Sequence, residues 1–414
     1  MKYKIKYNDE VVDVQIPDNS VIISPKDVEK KDQHEIVNVG LNHPFNSEKL
    51  DKFIADKEKI LIIVNDGTRP TPTAQILETI YPLINKKQIK IMVATGVHRI
   101  ANDNEIKKIL GNTYSYLRDK IVSHEARKDE DLQYIGTSRA NTPLVINKEV
   151  LLNDALIIIG SVEPHYFAGY TGGRKAIMPG VASYKSIEAN HKRALDPRAK
   201  ALNLKDNPVH LDMVDVLNLL KDKPMFSIMS VMDRDHQIYE ITTGNIIDSF
   251  DAAIEKANEV FTFEIKEKSD IVISVASSPM DIDLYQSQKA IDNGKLALKE
   301  NGILILISAC KEGVGEKAFY DLLKSSTTPK AVLESIYKNY KLGYHKAGKM
   351  AEIMTWADIW VVSELEDQLW ENIFIKPFNS IQEAIDEALK IKGSNASLSL
   401  LSDGCITVPL LKKE

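Results

Sequence analysis

Ile60-Leu61-Ile62-Ile63-Val64 runs directly into Asn65-Asp66-Gly67-Thr68-Arg69-Pro70-Thr71-Pro72, and this junction decides the fold class. Five consecutive aliphatic residues without alternation read as a strand buried on both faces, the kind found in parallel sheets covered by helices. The next residues are turn formers. The same pattern of an Ile- and Val-rich run closed by polar residues recurs at 89–94, 156–159, 271–275, 303–307 and 359–362. Amphipathic segments lie between the runs. Phe250, Ile254, Ala257 and Phe261 share one helical face after an N-cap at Asp248 or Ser249, and 331–337 and 381–391 behave similarly. Such strand–helix alternation predicts an α/β architecture.

At about 150 residues per domain, a chain of 414 residues suggests two or three domains. The charged stretch 264–270 (EIKEKSD) is the best boundary. It gives an N-terminal α/β domain over 1–266, with the tail 396–414 as a candidate completion, and a C-terminal α/β domain over 267–395. The cleft between two such lobes is the expected place for a small-molecule site. A hydrophobic content of 43% excludes a mainly disordered chain. The net charge of −6 argues against nucleic acid as the main partner. Two cysteines, Cys310 and Cys405, make neither a disulfide framework nor a four-cysteine zinc site, which suits a reducing compartment. The opening residues alternate apolar with charged, so 4–7 and 11–16 read as a hairpin turning at Asn8-Asp9 rather than a secretory leader. No stretch approaches the roughly 18 apolar residues of a membrane span. A soluble, cytoplasmic protein is expected.

Three loops after predicted strands carry the chemistry. In 65–72, Asp66 can accept hydrogen bonds and Arg69 can hold a carboxylate or phosphate bidentately, although the stretch also reads as a capped turn. Gly96-Val97-His98-Arg99 places a histidine beyond a second strand, as a base, a ligand or a surface residue. The richest stretch begins Glu163-Pro164-His165-Tyr166-Phe167-Ala168-Gly169-Tyr170-Thr171-Gly172-Gly173-Arg174-Lys175. Its glycines admit close backbone approach and its cations favour an anion, yet the same residues suit a solvated surface loop. Neither the Walker frame nor G-x-G-x-x-G is satisfied, which disfavours an ordinary NTPase or dinucleotide dehydrogenase. Lys175 is a candidate for covalent attachment or Schiff-base chemistry.

His98, His165 and His191 together would suit zinc, copper, iron or nickel, while the absence of H-E-x-x-H excludes a zincin helix. In the second half, Tyr285, Gln286 and Lys289 fall at i,i+3 and i,i+4 spacings on a predicted helix start. Trp356 and Trp360 are expected in the core, and the remaining histidines read as structural.

Taken in order, Asp66-Gly67-Thr68-Arg69-Pro70, Gly96-Val97-His98-Arg99, the 165–175 segment with Pro179-Gly180, Asn190-His191, and Tyr285-Gln286 with Lys289 resemble the nickel-dependent lactate racemase family. The resemblance implies two α/β domains around an interdomain active site and an isomerase acting on a 2-hydroxy acid. It implies nickel held by a nickel-pincer nucleotide, a pyridinium-3-thioamide-5-thiocarboxylic acid mononucleotide whose S, C and S atoms bind the metal. By the same resemblance Lys175 binds this cofactor covalently and His191 is the fourth nickel ligand. His98 and His165 are the paired acid/base residues, and Arg69, Tyr285, Gln286 and Lys289 bind substrate. Asp66, Thr68, Gly172, Gly173 and Arg174 surround the cofactor, and cofactor-maturation proteins are implied as partners. Other 2-hydroxy acids are alternative substrates. More distant alternatives are a histidine-metal hydrolase and a non-enzymatic nucleotide-binding or scaffold protein.

Overall fold

The computed structural model describes residues 1–8 and 10–412. They separate into two compact units, Asp27–Val260 and a second that joins Met1–Lys26 to the chain from Phe261 onward. No helix among the described residues is long and apolar enough to cross a membrane.

In the 27–260 unit a six-stranded sheet runs Ile238–Gly244, Met225–Met232, Ala155–Ser161, Lys59–Asn65, Gln88–Ala94, Ile121–Val122. Only the pair Met225–Met232 and Ile238–Gly244 is antiparallel. The unalternating run is buried as expected: Ile60, Leu61, Ile62 and Ile63 are at 0% exposure. Helix Thr73–Ile84 turns Ile76, Leu77, Ile80 and Ile84 toward one face of the sheet, beside Ile36, Val37 and Leu41 of helix Gln33–Asn42. Each such side chain contributes about 1.5–3 kcal/mol relative to leaving it in water.

This topology sets the position of the loops. From Lys59–Asn65 the chain passes through Thr73–Ile84 to Gln88–Ala94 on one side, whereas Ala155–Ser161 pairs on the other. Strand order switches direction here, and open α/β sheets leave a crevice beyond the strand C-termini at such a point. The three loops singled out in the sequence leave the C-terminal ends of these three adjacent strands.

The second unit holds another six-stranded sheet, all parallel, in the order Lys376–Phe378, Asp358–Val362, Leu298–Ile307, Ser269–Val275, Leu398–Leu401, Val21–Ile23. The expected boundary at 266 falls close to Phe261, but the assignment of the chain ends differs. Residues 1–26 belong with the C-terminal unit because Val21–Ile23 extends its sheet along Leu398–Leu401. The hairpin Lys2–Tyr7 and Glu10–Gln15 also buries Ile5 and Val14 against that unit's core. Asp9, at the expected turn, lies outside the described residues. The tail 396–414 likewise serves this unit, not the 27–260 one, since Val408–Leu411 pairs with Thr262–Ile265. Trp360 is a core residue, at 4% exposure and 4.8 Å from the Phe378 ring. Trp356 is not. It lies just past the end of helix Tyr344–Met354, partly exposed, with its indole N–H donating to Glu352 at 3.0 Å.

Candidate active site

Asp66 is the first residue beyond strand Lys59–Asn65. Its Oδ1 accepts from the Thr68 backbone N–H at 3.1 Å and from the Thr68 hydroxyl at 2.6 Å, while its Oδ2 lies 2.7 Å from His98 Nδ1. Burial pulls the carboxyl upward, but the bonds from His98 and Thr68, with Arg69 nearby, outweigh it and hold Asp66 below the usual carboxylate range. An ionised acceptor at Nδ1 keeps the imidazole proton there and leaves Nε2 as the basic nitrogen. The His98 side chain is 54% exposed.

Arg69 Nη1 lies 2.7 Å from Glu163 Oε1, with both side chains largely buried. The pair joins the loop after Lys59–Asn65 to the loop after Ala155–Ser161, across the point where strand order switches. Sequence reasoning assigned no role to Glu163. Its only signal was its position directly before Pro164-His165.

His165 occupies the short hairpin Pro164–His165 and Gly169–Tyr170 and is 8% exposed. Its Nδ1 accepts from the backbone N–H groups of Phe167 and Ala168 at 3.5 and 3.3 Å. In the neutral ring the proton therefore sits on Nε2, the reverse of His98. Tyr166 stacks on the imidazole at 4.9 Å, and Phe167 meets it edge-on at 4.6 Å. The Phe167 ring also faces His191 at 5.2 Å and lies 5.8 Å from Lys175 Nζ. One phenyl ring, with no role assigned from the sequence, thus gathers three of the expected site residues.

Gly172 and Gly173 have φ of +80° and +52° and start the short turn Gly173–Ala176 that carries Lys175. A Cβ on Gly172 would come 2.6 Å from Val162 Cγ2, and one on Gly173 would come 3.0 Å from the Phe250 ring. Arg174 is turned inward. It is 2% exposed, donates to the carbonyls of Ala168 and Gly172 at 2.8 and 3.2 Å, and bonds His210 Nδ1 through Nε at 3.0 Å. Its guanidinium also covers the Phe250 ring at 4.5 Å. Arg174 therefore braces the glycine loop, and His210, set aside as structural, is part of that brace.

His191 lies in the last turn of helix Tyr184–Lys192. Burial, reinforced by the Lys175 charge, pushes its pKa down to about 3. It is therefore neutral at physiological pH, the form of imidazole that binds a metal. Among the described residues no group of three or more His, Cys, Asp or Glu could hold a metal ion. A metal at His191 would need donors from elsewhere. A cofactor bringing its own sulfur and carbon donors, and anchored at Lys175 beside the same phenyl ring, fits this donor set.

In the second unit, Tyr285, Gln286 and Lys289 lie in helix Leu284–Gly294, as expected. Asp283 caps the helix by accepting from the Gln286 N–H at 2.7 Å. Lys289 Nζ is 3.1 Å from Met280 Sδ. The Tyr285 phenol is pushed above its usual range, first by burial and then by Glu316 and Asp283.

A carboxylate-held imidazole, a second imidazole of opposite tautomer and a lysine on a glycine turn define an α/β enzyme equipped for acid/base chemistry. A family model for the lactate racemase N-terminal domain matches residues 7–202, and one for the C-terminal domain matches residues 264–408. Lactate racemase from Thermoanaerobacterium thermosaccharolyticum is 30% identical over 383 residues, covering 90% of this chain and 89% of that protein. Lactate racemase from Lactiplantibacillus plantarum is 32% identical over 394 residues, covering 91% and 90%. The solved lactate racemase apoprotein from T. thermosaccharolyticum superposes with a TM-score of 0.92 at 28% identity, over 99% of this chain and 100% of that one. A Thermotoga maritima protein of solved structure shares the fold at a TM-score of 0.69 and 17% identity, over 92% and 98% of the two chains. The chain belongs to the lactate racemase family and is an isomerase of the racemase class.

Proposed function

We propose that this protein interconverts D- and L-lactate. The observation that carries the reading is the opposed hydrogen bonding of its two histidines. Asp66 holds Nδ1–H of His98, which leaves Nε2 to take a hydroxyl proton. Backbone N–H groups hold Nδ1 of His165, which leaves Nε2–H of the neutral ring to donate a hydrogen bond to the substrate oxygen. Racemisation needs one imidazole for each enantiomer, and His98 and His165 are read as that pair. Arg69 in the 27–260 unit is read as binding the substrate carboxylate, and Tyr285, Gln286 and Lys289 in the second unit are read as substrate-binding. These contacts lower the cost of desolvating the carboxylate and fix the C2 hydrogen in one orientation.

Lys175 and His191 are the residues to hold a nickel-pincer nucleotide, with Thr68 and the Gly172–Gly173 turn beside it. When bound, this cofactor supplies a hydride acceptor and donor, so that lactate passes through pyruvate. Abstraction of C2 hydrogen as a proton would instead build a second negative charge beside the carboxylate. Protein matured with the cofactor should racemise lactate from either enantiomer and return deuterium placed at C2 to C2. Nickel should be present, and intact mass should show an adduct that Lys175→Ala abolishes. Racemisation with complete loss of the C2 label to solvent would sink the hydride reading. Malate and longer 2-hydroxy acids in the same assay test the alternative substrates.

A further inference from the structure

Lysine is rarely buried without a purpose-built environment. Lys346, in helix Tyr344–Met354, is 5% exposed. Its Nζ donates to the backbone carbonyl of Tyr285 and lies 3.6 Å from the centroid of the Tyr285 ring. The same ring meets Phe319 edge-on at 5.5 Å. Gly315 closes around it so tightly that a Cβ there would come 2.6 Å from Tyr285 Cβ. Tyr285 is therefore held through both its backbone and its ring, and its carbonyl is the one that the Lys289 amide reaches one helical turn later. Charged and titratable groups around the Lys346 amine include Lys289 and Asp292 on helix Leu284–Gly294, Asp283 at its cap, and Cys405. Burial first, then repulsion from Lys289, pull the Lys346 pKa well down, and the two aspartates oppose this. A protein that only needed packing here would place methionine or leucine at this position and avoid the cost of a buried amine.

We propose that Lys346 is a positioning residue for substrate: it clamps Tyr285 in the first turn of the helix and sets a second amine beside Lys289, where the carboxylate binds. This rests on the reading of Tyr285, Gln286 and Lys289 as substrate-binding.

The test uses cofactor-loaded enzyme. Lys346→Met keeps the volume and removes the amine, so it should fold with a melting temperature at or above that of the parent. Its KM for lactate should rise roughly tenfold with kcat changed less, as expected for loss of a hydrogen bond that orders the binding helix. Lys346→Arg, which keeps donor and charge, should recover part of that loss. Lys346→Gln carries the same expectation as Lys346→Met and serves if the methionine variant does not fold. Lys289→Ala tests the underlying reading and should itself raise KM. If Lys289→Ala raises KM while the folded neutral Lys346 variants leave it within about twofold, the Lys346 assignment is overturned and the substrate reading stands. If Lys289→Ala leaves KM unchanged, the substrate reading fails and takes the Lys346 assignment with it.

Discussion

Gly172, at φ +80° and ψ −178°, occupies a backbone region almost closed to side chains. Substituting alanine should cost about 1–3 kcal/mol in urea unfolding. It should also lower the fraction of protein carrying a mass adduct on Lys175, because the Lys175 N–H donates to the Gly172 carbonyl at 3.1 Å. His124 makes a different prediction. It is 2% exposed, its Nε2 lies 3.1 Å from the Ala182 carbonyl, and burial pushes its pKa down to about 4. The unfolded chain, with histidine near 6.5, takes up a proton sooner than the folded one as pH falls. Stability is thus fully present above about pH 6.5 and is lost progressively toward about pH 4. Denaturant unfolding at pH 7.5 and 5.0 should differ by about 2 kcal/mol through this residue, and His124→Gln should remove that part of the difference. His210, pushed to about 3 by burial and Arg174, acts in the same direction.

At the scale of elements, the loops beyond strands Lys59–Asn65, Gln88–Ala94 and Ala155–Ser161 work as one device, because Asp66 reaches His98 and Arg69 reaches Glu163. Asp66→Asn keeps the shape and removes the ionised acceptor that sets the His98 tautomer. Racemisation should slow roughly 100-fold or more. Since two enantiomers have an equilibrium constant of one in achiral solvent, kcat/KM must fall equally from D and from L. Initial rates from each side check both statements. The strands and these loops were legible in the sequence because a doubly buried strand writes itself as an unbroken aliphatic run. A loop at its end is then located whatever the loop does. Direction was not legible. Arg174 and Lys175 are neighbours of similar charge, yet one is buried in carbonyls and the other lies near an aromatic cluster. Glu163 and Lys346 went unassigned for a related reason: their partners Arg69 and Tyr285 are distant in the chain, and composition carries no trace of such pairs.

At the scale of the molecule, residues 1–26 belong to the unit formed by the C-terminal part of the chain. Parallel pairing of Val21–Ile23 with Leu398–Leu401 leaves no local signal, since both segments read merely as short apolar runs. That is why a boundary placed on charge alone kept the first 26 residues with their neighbours in the chain. The polypeptide 27–260 should accordingly fold cooperatively when expressed alone, with a single unfolding transition by circular dichroism. The polypeptide 1–266 should gain nothing in melting temperature over it, because the hairpin and Val21–Ile23 would have no sheet to join.

The same pairing orders events during synthesis. Val21–Ile23 leaves the ribosome early, but the strand it pairs with is made only after residues 24–397 have been added. At about 5–20 residues per second that interval is on the order of tens of seconds. The 27–260 unit is complete long before then, so the nascent chain carries one finished body while its leading segment waits for a partner. A chaperone that shields Val21 and Ile22 during that wait would act on the assembly of the second sheet alone.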